Sequence, residues 1–156
     1  MSQSNYLIDL YARCSRWPMG QALFSRLFAR KAPYFATIRP RVTQLRPHFC
    51  EVRFAKRRRV ENHIGTVHVI AICNALEMAM GGLAEATIPK HLRWIPRGMA
   101  LEYTARADSD IRAVAETRPD DWQPGEVPVR VTAYRADDTV VVQGTITLHV
   151  TEKPAG

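Results

Sequence analysis

The stretch "VENHIGTVHVIAICNALEMAMGG", from Val60 to Gly82, runs from a polar turn into a helix predicted over about residues 67–86. That helix is apolar almost all the way round, yet it carries the carboxylate of Glu77 near its middle. Such a helix has to be enclosed on most sides by other elements. An unpartnered buried carboxylate costs several kcal/mol of stability, so Glu77 needs either a structural partner or a chemical use.

The alternation of apolar and polar residues predicts how this helix is enclosed. Strand-like segments are predicted over residues 37–60, 99–107, 109–117, 127–134 and 140–150. The period of two is typical of antiparallel strands with one buried face. Ala136-Asp137-Asp138-Thr139 supplies the chemistry of a tight hairpin turn. The sequence therefore predicts an α+β fold in which a curved antiparallel sheet wraps around one long central helix.

The start of the chain is predicted to be helical. Residues 3–30 have helical periodicity, which is broken at Pro18–Gly20. The second helical piece sets apolar side chains beside basic ones, namely Leu23, Leu27, Arg26 and Arg30. We interpret it as a helix packed on its own domain, and the alternative is a basic amphipathic helix that touches a membrane surface. The predicted organisation is an N-terminal helical extension over residues 1–36, followed by one domain over 37–152.

Length and composition restrict the class of protein. A chain of 156 residues is long enough for one domain with a substantial core. The net charge of +7 and pI near 9.8 suit an anionic partner such as nucleic acid, a lipid headgroup or a phosphate-bearing ligand. Cys14, Cys50 and Cys73 form neither a disulfide framework nor a CxxC metal site, which favours a reducing compartment. Since no signal peptide and no run of about 20 apolar residues is seen, we expect a cytoplasmic location.

The residues just before the helix are suited to acyl chemistry. Gly65 is placed for a tight turn, and Thr66 is predicted to be the helix N-cap. The first free N–H groups, over residues 67–69, would then point outward with the positive end of the helix dipole behind them. Such donors polarise a carbonyl or stabilise an oxyanion. Together with Asn62 and His63, they predict an acyl-transfer or hydrolysis site.

One side of the predicted helix is more polar than the rest. At about 100° per residue it presents Ile70, Asn74, Glu77, Gly81 and Glu85. In one interpretation this stripe is a partly solvated edge, with Glu77 bonded to a neighbouring Asn, Arg or backbone N–H. Residue types alone favour that interpretation over a catalytic stripe.

The pattern Asn62-x-x-Gly65-Thr66-x-His68, followed nine residues later by Glu77, resembles the motif of hotdog-fold acyl-CoA thioesterases of the phenylacetate-pathway and human-thioesterase-superfamily type. The order of elements from about residue 48 to 151 is also similar to that of a hotdog domain. The whole chain most resembles a hotdog family that is labelled a domain of unknown function and described as thioesterase-like. The resemblance implies hydrolysis of an acyl-CoA or related acyl thioester, with coenzyme A as part of the substrate and no separate cofactor.

The resemblance also implies a role for each residue of the motif. Glu77 would be the nucleophile on the thioester carbonyl or the general base for water, and Asn62 would orient the water or the substrate. The backbone N–H of Val69 would donate to the oxyanion. Such sites form between the subunits of a homodimer, which can pair further into a tetramer, and this agrees with His68 and Glu77 pointing to opposite sides of one helix. The other substrate-side residues are Gly65, Thr66 and His68, and additional candidates are His63 and Asn74.

The chain departs from the family pattern at two places. Val69 stands where the family has Gly after the His, and its side chain would crowd the carbonyl site. Ile95 lies near the place where some relatives have a Ser or Thr that holds the water. These departures favour slow or selective hydrolysis, or binding without catalysis. Arg57–Arg59 and Arg97 are candidates for contacts with the phosphates of coenzyme A, and an ordinary solvated surface explains them equally well.

Three other functions stay open at the level of sequence. His63 and Glu77 have the fourteen-residue spacing of a hotdog hydratase or dehydratase, but the proline-rich loop expected between them is missing. A dimer that binds acyl groups without chemistry fits Val69. A nucleic-acid role rests only on charge and the run Lys56–Arg59, so nucleic acid is not predicted as a partner. No metal site is predicted, because His63 and His68 lack the HExxH spacing, and stable membrane insertion is not expected.

Overall fold

The structure, a computed structural model, describes residues 5–155. Within them the helices are α1 (Tyr6–Ser15), α2 (Gly20–Lys31) and α3 (Val69–Thr87). The strands are β1 (Arg41–Arg46), β2 (Phe49–Phe54), β3 (Leu92–Tyr103), β4 (Ile111–Glu116), β5 (Gly125–Tyr134) and β6 (Val140–Glu152). Short 3-10 helices cover Pro33–Ile38, Arg58–Val60 and Pro119–Asp121.

The six strands form one antiparallel sheet in the order β1-β2-β4-β5-β6-β3. The hairpin between β5 and β6 closes at the predicted turn, where the Arg135 N–H donates to the Thr139 carbonyl at 3.0 Å. Asp138 in this turn has a left-handed backbone, with φ +63°. The strand β3 pairs with β6 and lies at the edge of the sheet.

The central helix α3 lies against the concave side of this sheet and supplies the middle of the core. Leu76, Met78 and Leu83 are completely buried. Gly82 allows the helix to approach β2, because a Cβ there would lie only 3.0 Å from the Sγ of Cys50. By length and composition α3 is apolar enough to cross a membrane, which the sequence did not lead us to expect. However, 67% of the 18-residue apolar stretch of this helix is buried inside the protein, as in an enclosed core helix.

The N-terminal helices pack on β1 and on α3. The side chain of Asn5 caps α1 by accepting hydrogen bonds from two backbone N–H groups of its first turn. The predicted break at Pro18–Gly20 is present, and Gly20 is needed there because a Cβ would overlap the carbonyl oxygen of Cys14. The side chain of Phe24 then anchors α2 in the core. Residues 3 and 4, which the sequence places in the first helix, lie outside the described residues.

The predicted fold class is confirmed: a curved antiparallel sheet wraps around one long helix, with helices before it. The position of β3 differs from the prediction, since the strand ends at Tyr103 and leaves Ala105 and Ala107 beyond it. The alternation in β3 also predicts a buried face, yet Met99 and Tyr103 are exposed. The physical reason is that β3 is an edge strand and that no element within residues 5–155 covers these two side chains. The division between extension and domain at residue 36 stays a prediction.

Candidate active site

A closed loop precedes α3. Glu61 and Val67 form an antiparallel bridge, and the Asn62 N–H donates to the Thr66 carbonyl at 2.8 Å. The Gly65 N–H donates to the Asn62 carbonyl at 3.1 Å. The φ of Gly65 is +76°, a left-handed conformation that favours glycine. The tight turn predicted at Gly65 is therefore confirmed.

The side chain of Asn62 stabilises this loop. Its Oδ1 accepts hydrogen bonds from the N–H groups of Ile64 and Thr66, each at 3.1 Å. Its Nδ2 donates to the Oγ1 of Thr66 at 2.8 Å. Since both acceptor positions of the amide are occupied, its second Nδ2 proton is the group left to contact a substrate.

The helix begins later than predicted, and its cap is a different residue. Thr66 is not the N-cap; His68 is, and its Nδ1 accepts from the Ile70 N–H at 3.1 Å. The Val67 N–H donates to the Ala107 carbonyl and the His68 N–H to the Val60 carbonyl, each at 2.7 Å. The prediction that these two groups are free is therefore wrong. The bridge at Val67 keeps the backbone extended, so the helix cannot begin before Val69.

The Val69 N–H is the donor that remains at this helix end. Within residues 5–155 no group accepts a hydrogen bond from it. It lies beside a cavity of about 320 Å³ between the loop, the start of α3 and the end of β3. The cavity is lined in part by Asn62, His63, Thr66, His68, Val69, Tyr103 and Arg106. These residues form what we call the N–H cavity.

Glu77 lies elsewhere, on the wall of a cleft of about 880 Å³. The side chain is half-buried, and within the described part of the chain its carboxylate has no hydrogen bond and no ion pair. The expectation that a neighbouring Asn, Arg or backbone N–H satisfies Glu77 is therefore not met within one chain. The carboxylate is available to a ligand in the cleft.

Two neighbours of Glu77 on α3 help to define its surroundings. Burial raises the pKa of the Cys73 thiol, and the Glu77 carboxylate one turn away raises that pKa further. Cys73 is thus a poor nucleophile at neutral pH, because little of it is thiolate. Glu85 also lines the cleft, but its Oε1 accepts a hydrogen bond from the Trp94 Nε1 at 2.9 Å. Glu77 is therefore the carboxylate of this cleft wall that is left without a hydrogen-bonding partner.

Asn74, an additional candidate from the sequence, has a structural environment. It is 5% exposed, and its Nδ2 donates to the Tyr34 carbonyl and to the Thr37 Oγ1, each at 3.2 Å. Its Oδ1 is buried without a protein partner. The side chain ties α3 to the 3-10 helix at Pro33–Ile38, so the predicted stripe does not act as one polar surface.

The N-terminal helices form the opposite wall of the cleft, a feature that the sequence analysis did not assign to them. The wall is apolar and comes from α1, α2 and the following 3-10 helix, through Leu7, Leu10, Phe24, Leu27, Phe28 and Phe35. Lys31, Lys90 and Lys153 add positive charge at the same cleft. The available signal was the apolar side chains on the two predicted helices, but their pattern does not specify whether they face a core or a ligand.

The two parts of the candidate site are separated within one chain. Glu77 lines the large cleft, whereas Asn62, His68 and Val69 line the N–H cavity. Nine residues of α-helix between His68 and Glu77 correspond to about 13 Å along the axis. One chain therefore does not bring the carboxylate and the N–H donor to the same substrate atom.

The basic residues that are candidates for contacts with coenzyme A lie in two different environments. Arg57 donates to a carbonyl of the 3-10 helix at 3.0 Å, and its pKa is lowered by burial and by the nearby charges of Arg39 and Arg59. None of these three guanidinium groups forms an ion pair within residues 5–155. Arg97 faces Glu126 at 3.9 Å on the exposed surface, where such a pair contributes little.

Solved structures share this fold. The crystal structure of the genomics target APC5556 is 46% identical, covers 95% of this chain and 99% of that chain, and has a TM-score of 0.84. A protein from Pseudomonas aeruginosa described as a probable thioesterase is 19% identical, with coverages of 88% and 97% and a TM-score of 0.76. A thioesterase family protein from Silicibacter pomeroyi is 18% identical, with coverages of 92% and 99% and a TM-score of 0.72. No curated protein matches the sequence significantly.

The sequence model of one protein family covers most of the chain. This family is described as a domain of unknown function, DUF4442, and its model matches residues 20–150. The matched region includes α2, the loop before α3, the whole of α3 and the sheet. The chain therefore belongs to the DUF4442 family and has the hotdog fold.

Proposed function

We propose that this protein is a homodimeric thioesterase that hydrolyses an acyl-CoA or a related acyl thioester. The observation that carries the proposal is the carboxylate of Glu77, which is half-buried on the wall of the large cleft with no hydrogen bond or ion pair within residues 5–155. The fold of the thioesterase superfamily supports the reaction class.

The exposed edge strand β3 supports the homodimer. It is 12 residues long, and Ile95 and Tyr103 on it are 62% and 66% exposed. A long edge with apolar side chains is a template for pairing with another chain. Tyr103 also lines the N–H cavity, so a second copy paired along β3 would approach that cavity. In the proposed dimer, Glu77 of one subunit acts with Asn62 and Val69 of the other.

The proposed reaction uses Glu77 in one of two ways. As a general base it takes a proton from water, whose oxygen then bonds to the thioester carbonyl carbon. The N–H of Val69 donates to the resulting oxyanion. The C–S bond then breaks, and the thiolate takes the proton from Glu77. The products are the carboxylic acid of the acyl group and a free thiol, and Glu77 is again ionised. As a nucleophile, Glu77 itself bonds to the carbonyl carbon and displaces the thiolate, and water hydrolyses the mixed anhydride.

The surroundings of Glu77 suit the two ends of such a substrate. The apolar wall from α1 and α2 fits an acyl chain, and a volume of about 880 Å³ lies within the range of ligand pockets. Lys31, Lys90 and Lys153 line the same cleft, and Arg39 and Arg57–Arg59 lie outside it. We assign the anionic end of coenzyme A to these basic groups, which form no ion pair within residues 5–155. Arg97 fits this role less well, since Glu126 lies 3.9 Å from it.

The test is turnover of a panel of acyl-CoAs by the purified protein, measured as released thiol. Glu77→Gln should lower kcat by about 10²- to 10⁴-fold, because it removes the base or nucleophile. Glu85→Gln is the matched control, since Glu85 lies on the same helix and cleft but is hydrogen-bonded to Trp94. Its turnover should stay near that of the natural protein. Undiminished turnover in Glu77→Gln would contradict the proposed chemistry.

A second candidate function is a dimer that binds an acyl group without hydrolysing it. The side chain of Val69, where the resembling enzymes have Gly, favours this function because it stands beside the N–H donor. Binding of acyl-CoA in the absence of thiol release, by natural protein and Glu77→Gln alike, would identify it. The hydratase alternative is less favoured, because the proline-rich loop expected between His63 and Glu77 is missing from the sequence.

A further inference from the structure

The surface of α2 that faces away from the protein is unusually apolar. Trp17 and Met19, in the turn before the helix, are 72% and 75% exposed. Leu23 and Leu27 follow on the helix and are also exposed. At about 100° per residue, the stripe that holds both leucines also holds Arg26 and Arg30. We call these six residues, Trp17, Met19, Leu23, Arg26, Leu27 and Arg30, the N-terminal patch.

The backbone of the turn at residues 17–20 holds the side chains of Trp17 and Met19 toward solvent. The Gly20 N–H donates to the Trp17 carbonyl at 2.9 Å, which closes a turn with Pro18 and Met19 at its centre. Met19 has φ +64° and ψ +8°, a left-handed conformation at a turn position that favours Gly or Asn. A large apolar residue therefore occupies a strained position without being buried by its own chain. Strain of this kind is typical of functional segments.

The segment of the chain that carries the patch is strongly basic. Between residues 5 and 50 the chain has eight Lys and Arg residues and a single acidic residue, Asp9. Arg26 and Arg30 flank Leu27 on the patch, and neither forms an ion pair within residues 5–155. The charge of the patch is thus complementary to an anionic surface.

We propose that the N-terminal patch binds the surface of bilayers that contain anionic phospholipid. Apolar side chains with a Trp at one end enter the boundary between headgroups and acyl chains, while arginines on the same helix reach the phosphates. A nucleic acid would neutralise Arg26 and Arg30 but would have no apolar site for Met19 and Leu23. The binding is peripheral, since α2 is 12 residues long and its other face is buried against the protein.

The position of the patch relates it to the cleft. Leu27 belongs to the patch and also lines the large cleft, and Lys31 one turn later lines the cleft as well. A bilayer at the patch would therefore lie next to an apolar cleft, so that acyl groups could enter the cleft from the lipid surface. The proposal itself concerns lipid binding and does not depend on catalysis.

The test is co-sedimentation of the full chain with vesicles of phosphatidylcholine, alone or mixed with phosphatidylserine. We expect the protein to bind the mixed vesicles, and at least about tenfold less protein to sediment with phosphatidylcholine alone. Binding to the mixed vesicles should weaken as the salt concentration is raised. Trp17→Ser combined with Leu23→Ser should abolish binding. Arg26→Gln combined with Arg30→Gln should remove the preference for phosphatidylserine. All four side chains are exposed, so thermal melting of the variants should match that of the natural protein.

The matched control is Arg118→Gln combined with Arg130→Gln, which changes net charge equally at exposed positions outside the patch and outside β3. This control should bind the mixed vesicles as the natural protein does. The proposal is overturned if the natural protein stays in the supernatant, or if the control loses binding as much as the Arg26 and Arg30 variant. A lower oligomeric mass of the Trp17 and Leu23 variant without vesicles would instead assign the patch to a second copy. Binding to RNA or DNA with no binding to vesicles would also overturn it.

Discussion

At the scale of single residues, two carboxylates of this protein have opposite environments. Glu51 is 3% exposed and is fully partnered: the Thr43 Oγ1 donates to it at 2.7 Å, the Arg53 Nε at 2.8 Å, and Arg112 lies at 3.6 Å. Glu77 is half-buried, and the described residues offer it no such partner. A carboxylate that loses water without gaining hydrogen bonds destabilises the fold. The contrast makes Glu77 the stronger functional candidate and Glu51 a structural residue.

Glu51 gives a prediction for the pH dependence of stability. Burial by itself raises its pKa, but hydrogen bonds from Thr43 and Arg53, together with the charges of Arg53 and Arg112, outweigh burial and lower it. Because the folded pKa lies below the unfolded value of about 4.3, the ionised group stabilises the fold above that pH. The stabilisation is lost as the pH falls through the folded pKa. Glu51→Gln should thus cost about 1–3 kcal/mol at neutral pH and clearly less near pH 3.

Urea denaturation of both proteins at the two pH values measures this difference. Thr43→Val removes one hydrogen bond from an uncharged donor to the same carboxylate and leaves Arg53 and Arg112 in place, so it should show a smaller loss at neutral pH. An equal loss for Glu51→Gln at both pH values would show that its charge has no part in stability.

The donor at Val69 can also be tested by a single substitution. Val69 is the first residue of α3, and a proline there removes the N–H while its fixed φ remains compatible with a helix start. The preceding residue, His68, already has the extended backbone that a following proline requires, with φ −65° and ψ +132°. If this N–H stabilises the oxyanion, Val69→Pro should lower kcat by about 10²- to 10³-fold. Val69→Ala keeps the donor and should retain most of the turnover, and equal losses in both variants would contradict the role.

At the scale of secondary-structure elements, α2 has two functions in one helix. Its inner face buries Phe24 in the core, and one edge carries Leu27 to the cleft. Because one wall of the cleft is made by α1, α2 and the following 3-10 helix, the width of the cleft depends on side chains that the sheet does not constrain. The acyl chain accepted by the proposed enzyme should therefore depend on this helix.

Leu27→Trp tests the role of α2 as the wall of the acyl site. The larger side chain should fill part of the cleft and lower kcat/KM for the longest accepted acyl-CoA by about tenfold or more, with little effect on the shortest. Leu23→Trp is the matched control, since Leu23 lies one turn earlier on the same helix and does not line the cleft. A uniform loss across all chain lengths would indicate a structural effect instead of a change in the acyl site.

At the scale of the whole molecule, the proposed site needs two copies of the chain. The carboxylate and the N–H donor line different cavities, and the exposed edge of β3 is the surface through which a second copy can pair. This arrangement predicts complementation between two inactive variants. A mixed dimer of Glu77→Gln with Val69→Pro contains one site with both groups intact and one site that lacks both.

The measurement is to unfold and refold the two variants together and to assay thiol release. Random assortment of subunits should restore about a quarter of the activity of the natural protein. Each variant refolded alone is the control and should stay inactive. Failure of the mixture to regain activity, with mass measurements showing that mixed dimers form, would place both groups in sites within one subunit.

Much of the fold follows from local pattern. The period of two in β5 and β6 and the turn at Ala136–Thr139 predict the hairpin, and the structure has these two strands paired antiparallel on either side of that turn. The apolar helix around Glu77, together with strands that are apolar on one face, predicts an enclosing sheet, since that arrangement buries both. These features depend on hydrogen bonding and burial between neighbours in sequence, which the residue order specifies directly.

Tertiary structure decided what the sequence pattern left open. The bridge between Glu61 and Val67 moved the helix start from about residue 67 to Val69 and the N-cap from Thr66 to His68. The edge position of β3 left Met99 and Tyr103 exposed. The sequence by itself determined most of the elements, the turn at Gly65 and the carboxylate near the middle of the central helix. Only the packing of distant segments decided which N–H groups are used within the chain and that Glu77 faces a cleft built by the N-terminal helices. The physical reason is that hydrogen-bond partners and cavity walls come from residues far apart in the chain, and periodicity carries no information about them.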